Sequence, residues 1–385
     1  MKIERFRKRL SDYYIDYSLI FIVLFLLIFG LVMVYSTSAY DASISAKYNN
    51  DPAYFLKKQL VATIIGIVAM VACTAIPYQF WKKFSLFGYL VSMASIFLVL
   101  TPLGVEVNGA RRWINLGMSI QPAEIVKVAV VLFMAHLICT MGNKIKSTKG
   151  FWLVFFVPVP AAALVWLITE NLSSAIIIFA IGFCMLFVAS PDYKKFFVIV
   201  IGVLAIAAIM VYLVTQTDGF FGVRGARIKA WLDPEAYPST IGFQTLQSLY
   251  AIGSGGIFGN GLGQSVQKLG FLPEAQNDMI FSIICEELGL FGGFCIILMF
   301  LLLIWRFMII ANNTTDLFGT LLVVGVMAHF GIQVILNIAV VTNSIPNTGV
   351  SLPFISCGGS SVVFLLIEVG LVLSVAKNIK THENQ

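Results

Sequence analysis

Asp278, Ser282, Glu286, Gly289 and Gly293 follow one another at steps of four, four, three and four. That spacing sets them on one polar and small face of an otherwise apolar helix. Asp278, at the head of the ladder, can accept a proton from a substrate, or it can cap the helix together with Asn277. Glu286 lies eight residues on, about 12 Å deeper by the helical rise, with Glu287 beside it. Acids at such depth are costly without a partner and are functional candidates by default, with a structural ion pair as the alternative. The Gly289-to-Gly293 step is a GxxxG pattern, which lets another helix approach closely. Asp278 and Glu286 do not form a hydrolase pair, because about 12 Å exceeds the roughly 9.5 Å limit for two carboxylates flanking a glycosidic bond.

Candidate partners occur elsewhere. Gln121-Pro122 opens an apolar run, with Glu124 and Lys127 at i and i+3, close enough to pair with each other. Lys127 sits about 7 Å below the surface, near the depth of Asp278, and is a second candidate partner for that acid. His329, Gln333 and Asn337 form a stripe at i, i+4 and i+8 that suits hydrogen bonding between helices, and His136 takes the same reading. Asn108-Gly-Ala-Arg-Arg-Trp113 sets Arg111 and Arg112 beside an amphipathic aromatic. Such a group suits a phosphate at headgroup level, or simple interfacial anchoring.

The elements that carry these residues are membrane helices. The chain has 385 residues, 59% hydrophobic and only 11% charged, where a soluble domain carries about 25% charged residues. A bilayer core needs roughly 20 apolar residues per helix. Such runs occur at 18–35, 60–76, 84–101, 121–141, 152–169, 173–190, 196–215, 279–304, 317–341 and 358–376. Period-two alternation is absent, which argues against a β-barrel. The reading is an all-α polytopic membrane protein in which residues 1–385 form one transmembrane domain. Basic residues orient it. One side takes Lys2, Arg5, Arg7, Lys8, Arg9, Lys82, Lys83, Lys144, Lys146, Lys149, Lys194, Lys195, Arg306, Lys377 and Lys380. The short joints opposite hold Lys47, Lys57, Lys58, Arg111 and Arg112. Both termini are therefore expected in the cytoplasm. The first span is too long for a signal-peptide core and reads as an uncleaved signal anchor.

The net charge of +6 reflects those anchors and is no nucleic-acid signature. The six cysteines show no metal or redox spacing, and Cys285 and Cys295 are too far apart on one helix for a disulfide. Residues 216–277 form a large outer loop, rich in Phe, Leu, Ile and Gly. Within it Phe243, Leu246 and Tyr250 recur at helical spacing, as in a short helix lying at the membrane surface. The glycines at 253, 255, 256, 259, 261 and 263 lack a Rossmann spacing and read as tight turns. The loop re-enters the membrane through Phe271-Leu-Pro-Glu-Ala-Gln-Asn-Asp278. An intramembrane polar face under such a loop points to a ligand that is partly lipid and partly anionic.

At these residues the sequence resembles the shape, elongation, division and sporulation (SEDS) family, typified by FtsW, RodA and SpoVE. The stretches that carry the resemblance are Asn108-Gly-Ala-Arg-Arg-Trp-Ile114, Gln121-Pro-Ala-Glu-Ile-Val-Lys127, Gly242-Phe-Gln-Thr-Leu-Gln-Ser-Leu-Tyr-Ala-Ile-Gly253, Phe271-Leu-Pro-Glu274, Glu286-Glu-Leu-Gly289 and Leu352-Pro-Phe-Ile-Ser-Cys-Gly-Gly-Ser-Ser361. Gly259-Asn-Gly-Leu-Gly-Gln-Ser265 with Gln267-Lys268 is more similar to the FtsW and SpoVE branch than to RodA. The resemblance implies a peptidoglycan glycosyltransferase that polymerises lipid II on the outer face of the bacterial plasma membrane, for division or sporulation. It would work with a class B penicillin-binding protein and other division-complex membrane proteins. It implies Asp278 as the essential acid with Lys127 facing it, and Lys127, Arg111, Arg112, Glu274, Glu286 and Ser360 as substrate contacts, the first three for its phosphates. It leaves room for a divalent cation (Mg2+ or Mn2+). Three places depart from the family pattern. Asn277-Asp278-Met279 stands where Thr-Asp-Phe is usual, Glu170-Asn-Leu-Ser-Ser174 where Pro-Asp-Leu-Gly-Thr is usual, and Cys357 where a tyrosine is usual. The rival expectations are a flippase for lipid-linked precursors and a non-catalytic scaffold for the penicillin-binding protein.

Overall fold

In a bilayer, backbone amides and carbonyls find no water, so a chain this apolar must satisfy them within helices. The computed structural model does so with ten helical segments long and apolar enough to cross a membrane. It describes residues 16–107, 109–115, 117, 119–216, 222–239 and 242–379. Asn108, the basic residues between Lys2 and Arg9, Lys380 and part of the long loop lie outside them. The spans, in order, are α1 (Tyr17–Ile44), α2 (Tyr54–Ala75), α3 (Tyr78–Phe97), α4 (Pro122–Met141), the pair α5 (Thr148–Phe156) and α6 (Pro158–Thr169), α7 (Leu172–Ala189) and α8 (Tyr193–Gln216). After α9 (Gly222–Leu232) and α10 (Phe243–Ser254) come α11 (Ile280–Asn313), α12 (Leu317–Val341) and α13 (Gly359–Ala376). Each of the ten expected spans is present.

Local chemistry sets their ends. Asp16 caps α1 by accepting from the Leu19 amide at 2.9 Å, and its other oxygen pairs with Arg306 of α11 at 2.6 Å. Pro122 occupies the first turn of α4, where a missing N–H costs nothing. Pro158 splits one span into α5 and α6, because proline cannot donate within a helix. Asn171 caps α7 through the Ser174 amide at 3.0 Å.

Helices α12 and α13 form the centre of the bundle. In α13, 78% of the span is buried, against 6% in α8, which lies exposed at the edge of the bundle. The helical spacing of Phe243, Leu246 and Tyr250 is realised as α10, which buries Leu246 and Ser248. Gly253, expected in a turn, lies inside this helix, and the glycines after it form turns, with positive φ at 256, 259, 261 and 263.

The all-α expectation needs one correction. Residues 104–120 hold a small antiparallel sheet of β1 (Gly104–Val107), β2 (Ala110–Asn115) and β3 (Ser119–Ile120), with Val105 opposite Trp113 and Ile114 opposite Ile120. It is short and sits between spans, where hydropathy has nothing to report.

A second correction concerns α11, expected as one continuous helix. Its backbone breaks at Gly289, where φ is +72° and ψ is −177°. The break frees backbone groups inside the bilayer, and the glycine-rich loop takes four of them. The amides of Asn260 and Gly261 donate to the carbonyls of Glu286 and Glu287 at 3.0 and 2.9 Å, and those of Leu290 and Phe291 donate to Gly256 and Ile257 at 2.9 and 3.0 Å. The polar ladder therefore stops being one helical face at Gly289. Nor does the GxxxG step admit another helix. Gly289 admits the loop backbone at Ile257 and Gly259, while the space above Gly293 is filled by Cys285 and Phe281 of its own helix.

A methyl group at Gly289 would collide with the Ile257 carbonyl and the Gly259 amide, at a φ that L residues avoid. Gly289→Ala should cost more than about 3 kcal/mol. It should lower the thermal unfolding midpoint in detergent by several degrees, and an unchanged midpoint would show that the knitted break is dispensable.

Candidate functional site

The expected site acid lies at the end of the loop, before the helix begins. Met279, not Asp278, is the N-cap of α11, and no side chain caps it. The capping alternative for Asp278 therefore falls away. Its position is instead fixed through its backbone. Asn337 of α12 donates to the Asp278 carbonyl and to the Val350 carbonyl, both at 2.7 Å. The Cys357 amide donates to Gln276 at 2.8 Å. Gln59 of α2 holds the other flank, accepting from the Gly358 amide at 3.1 Å. Gly349, with φ of +67°, faces the carboxylate: a side chain there would begin 3.6 Å from Asp278 Oδ2.

The Asp278 carboxyl is free for chemistry. Its Oδ1 is buried and accepts no hydrogen bond. Burial, reinforced by the nearby charge of Glu274, pushes its pKa up to about 7, against the opposing pull of its own amide and of Arg227. Arg227, on α9, was not singled out by sequence: its segment has no apolar periodicity and its charge looks like any surface cation.

Lys127 Nζ is 2.7 Å from Glu124 Oε1, and both side chains are buried. The charges that act on Asp278 are Glu274 and Arg227. The i, i+3 alternative therefore describes this structure, and the second Glu124 oxygen is buried without a partner.

The two neighbouring arginines also separate, because successive residues of a strand point to opposite faces. Arg111 is exposed and lies 3.4 Å from Glu106 across β1 and β2. Arg112 turns inward, donating to the carbonyls of Thr169 and Glu170 at 3.3 and 3.1 Å. Burial, then the charge of Arg227, depresses its pKa, and Glu170 opposes them. Arg112, Arg227 and Asp278 thus form one electrostatic neighbourhood. The Glu170-Asn171 departure has a structural reading here: Glu170 adopts φ of +51° and presents its carbonyl to Arg112, while Asn171 caps α7.

Three other expected contacts are placed as follows. Glu274, with φ of +56°, sits on the turn below Asp278 and is bonded by Asn277 Nδ2. Glu286 is fully engaged by the loop: Ser265 Oγ donates to one oxygen, and the Val266 and Gln267 amides to the other at 2.9 and 3.4 Å. Ser360 is buried at the start of α13, where its Oγ accepts from the Gln121 amide at 3.4 Å. Glu287 pairs with Lys268 at 2.7 Å and accepts from Ser36 Oγ at 2.8 Å, which ties the loop to α1 and α11. Breaking a buried pair of this kind costs about 3–5 kcal/mol. Of the stripe on α12, only His329 bonds another helix, through Glu368 of α13 at 2.8 Å. Gln333 bonds the Ser351 carbonyl at 2.9 Å and Asn337 the Asp278 and Val350 carbonyls, all three in loops. His136 Nδ1 is buried with no partner, so the interhelical expectation is corrected for Gln333, Asn337 and His136. Glu368 went unremarked in sequence, although a lone acid in the span 358–376 is itself a signal. Among the described residues no group of three or more His, Cys, Asp or Glu is placed to hold a metal ion, so the divalent cation finds no ready ligand set there.

Ten membrane helices and a loop that delivers one uncommitted carboxyl define a polytopic membrane protein with a single candidate reaction centre. The family model FTSW_RODA_SPOVE, described as cell cycle protein, matches residues 17–381, and the chain belongs to that family. It is 40% identical to "Probable peptidoglycan glycosyltransferase FtsW" of Trichlorobacter lovleyi, over 97% of this chain and 95% of the relative. It is 38% identical to "Stage V sporulation protein E" of Bacillus subtilis, over 94% of this chain and 97% of that one. Among solved structures, the fold matches a chain of a peptidoglycan synthase complex described as coordinating polymerization and crosslinking, with a TM-score of 0.76, 25% identity and coverage of 95% and 98%. Thermus thermophilus rod shape determining protein RodA matches with a TM-score of 0.69, 25% identity and coverage of 96% and 98%.

A carboxyl with a pKa near 7 is protonated below that pH and ionised above it. Difference infrared spectra against Asp278→Asn should show a protonated-carboxyl band that fades as pH rises through about 7. A carboxylate already ionised at about pH 5, nearer the ordinary aspartate range, would overturn the burial argument.

Proposed function

We propose that this protein polymerises lipid II into glycan strands, with Asp278 as the general base. One observation carries the residue assignment: a buried Asp278 oxygen with no hydrogen-bond partner, on a carboxyl whose pKa burial pushes up to about 7. A base is most effective when its pKa lies close to the working pH. Asp278 takes the proton from the 4-hydroxyl of the acceptor sugar as that oxygen bonds to the anomeric carbon of the growing strand. The bond from that carbon to undecaprenyl pyrophosphate breaks, and its electrons leave with the pyrophosphate. The donor bond is α and the product bond β, so a single displacement with inversion accounts for the product. Arg227 supplies positive charge for the departing group, and Arg111 and Arg112 are the cations for the lipid phosphates.

The excess of basic residues on the opposite joints supports cytoplasmic termini and a site on the outer face. Residues 1–385 then act as one transmembrane domain. The likeness to the synthase-complex chain supports work beside a class B penicillin-binding protein, at the septum or during sporulation. The discontinuous α11 is the one feature that favours a flippase, since transporters build sites from broken helices. The glycine-rich loop occupies the backbone groups of Glu286, Glu287, Leu290 and Phe291 at this break, which leaves those groups unavailable to a cargo.

Purified protein with lipid II separates the readings. Polymer in detergent supports the enzyme, lipid transfer between leaflets without polymer supports the flippase, and neither supports the scaffold. Asp278→Asn, nearly isosteric, should lower polymerisation by at least about a hundredfold while the protein still inserts and binds its partner. Near-normal polymer would reject the base assignment.

Changing Arg111 and Arg112 together to Gln should raise KM for lipid II more than it lowers kcat, as expected for lost uniform binding. An unchanged KM would return the segment to interfacial anchoring.

A further inference from the structure

Arg227 is exposed on α9, and its charge bears on Asp278. Helix α9 follows α8, in which Phe196 and Val214 are the buried residues. An exposed cation keeps its register with the carboxyl only if its helix has a fixture in the bundle. That fixture is at its far end. Trp231 Nε1 donates to the Asn343 carbonyl at 3.0 Å, and Asn343 Nδ2 donates back to the Trp231 carbonyl at 3.2 Å. The bonds are reciprocal, so they fix both distance and rotation. Trp231 lies four residues after Arg227, hence on the same helical face one turn along. Asn343 suits this position, because it adopts φ of +55°, a conformation asparagine tolerates better than most residues. It also follows α12, whose Asn337 holds the backbone of Asp278. The end of α12 therefore carries a grip on the acid and a grip on the helix of its cation.

We propose that Trp231 and Asn343 form a latch that positions Arg227 against Asp278. They are positioning residues, touching neither carboxyl nor substrate. The proposal rests on Asp278 acting as the base only where activity is read; the latch itself is a statement about structure. The charged groups around Asp278 are Glu274 on its own loop and Arg227 on α9. Beyond them lie Arg112 on β2 and Glu170 beside it, and Asp41 of α1 and Lys58 of α2 on the Glu274 and Cys357 side. Of these, Arg227 is the one that the latch holds.

Two variants test it. Trp231→Phe removes one donor and keeps an aromatic ring. Asn343→Gly removes the other and suits the positive φ without strain. In full-length protein in nanodiscs, both should speed amide hydrogen exchange across 222–232 and leave α12 unchanged. Unchanged exchange in that helix overturns the latch, whatever the enzyme does. The second reading is the acid limb of kcat/KM against pH, which reports the base in the free enzyme. A displaced Arg227 no longer favours the carboxylate, so the limb should move to higher pH in each variant and in Arg227→Gln. At pH 7 kcat/KM should fall about threefold or more. Trp231→Phe should add nothing once Arg227 is already Gln. Independent, additive losses would mean that Trp231 merely stabilises the fold and would overturn the positioning role. A wild-type protein with no polymerase activity would refute the glycosyltransferase reading instead, with the exchange result still deciding the latch.

Discussion

The structure depends on one constraint: inside the bilayer each polar group must find its partner within the chain. The break in α11 shows how far that constraint reaches. Gly289 turns the backbone out of the helix, and the orphaned groups on either side would be prohibitive in hydrocarbon. The loop from Gly256 to Gly261 meets them, and the carboxylates of Glu286 and Glu287 then hold the next stretch, from Ser265 to Lys268. A segment that composition alone marks as a surface loop is thus hydrogen-bonded to the broken helix, with Ser265 and Lys268 buried beneath a largely exposed stretch. It delivers Asp278 to the top of α11 with its backbone fixed and its side chain uncommitted.

The helical framework was legible because hydrophobic length is a strong signal. Roughly twenty apolar residues in a row have few other uses, so the ten spans could be placed to within a few residues, except where helices run on past the apolar stretch, as α1 does to Ile44. The sheet at 104–120 was missed by reading hydropathy alone. Its strands are too short for alternation to show, but β1 and β2 pair locally, and the Asn108-Gly109 dipeptide between them was a hairpin signal in the sequence. The interruption of α11 was hidden for a different reason. A glycine in an apolar run reads equally as a helix contact or as a hinge, and here the deciding partner lies some thirty residues earlier in the loop.

The site was legible in its acid and less so in its surroundings. Asp278 stood out because it heads a polar ladder on an apolar helix and matches the essential acid of the family it resembles. Lys127 also stood out, but the sequence offered it two partners, and the structure gives it Glu124. The adjacent arginines looked like one phosphate clamp, and strand geometry divides them, with Arg112 turned toward Glu170 and Arg227. Arg227 and Glu368 carried no pattern to distinguish them from a solvated cation and a stray acid. Their meaning comes from tertiary placement, one beside Asp278 and the other against His329.

The same pairing habit has an electrical consequence. Arg306 with Asp16, Lys127 with Glu124 and Lys268 with Glu287 each place opposite partners within 2.6 to 2.7 Å. The membrane potential does work on net charge, about 2.3 kcal/mol per elementary charge per 100 mV. A pair this short presents only a small dipole to that field. These three couples are therefore electrically quiet. They stay in place as the cell energises or depolarises its membrane, and so does the scaffold they hold around Asp278.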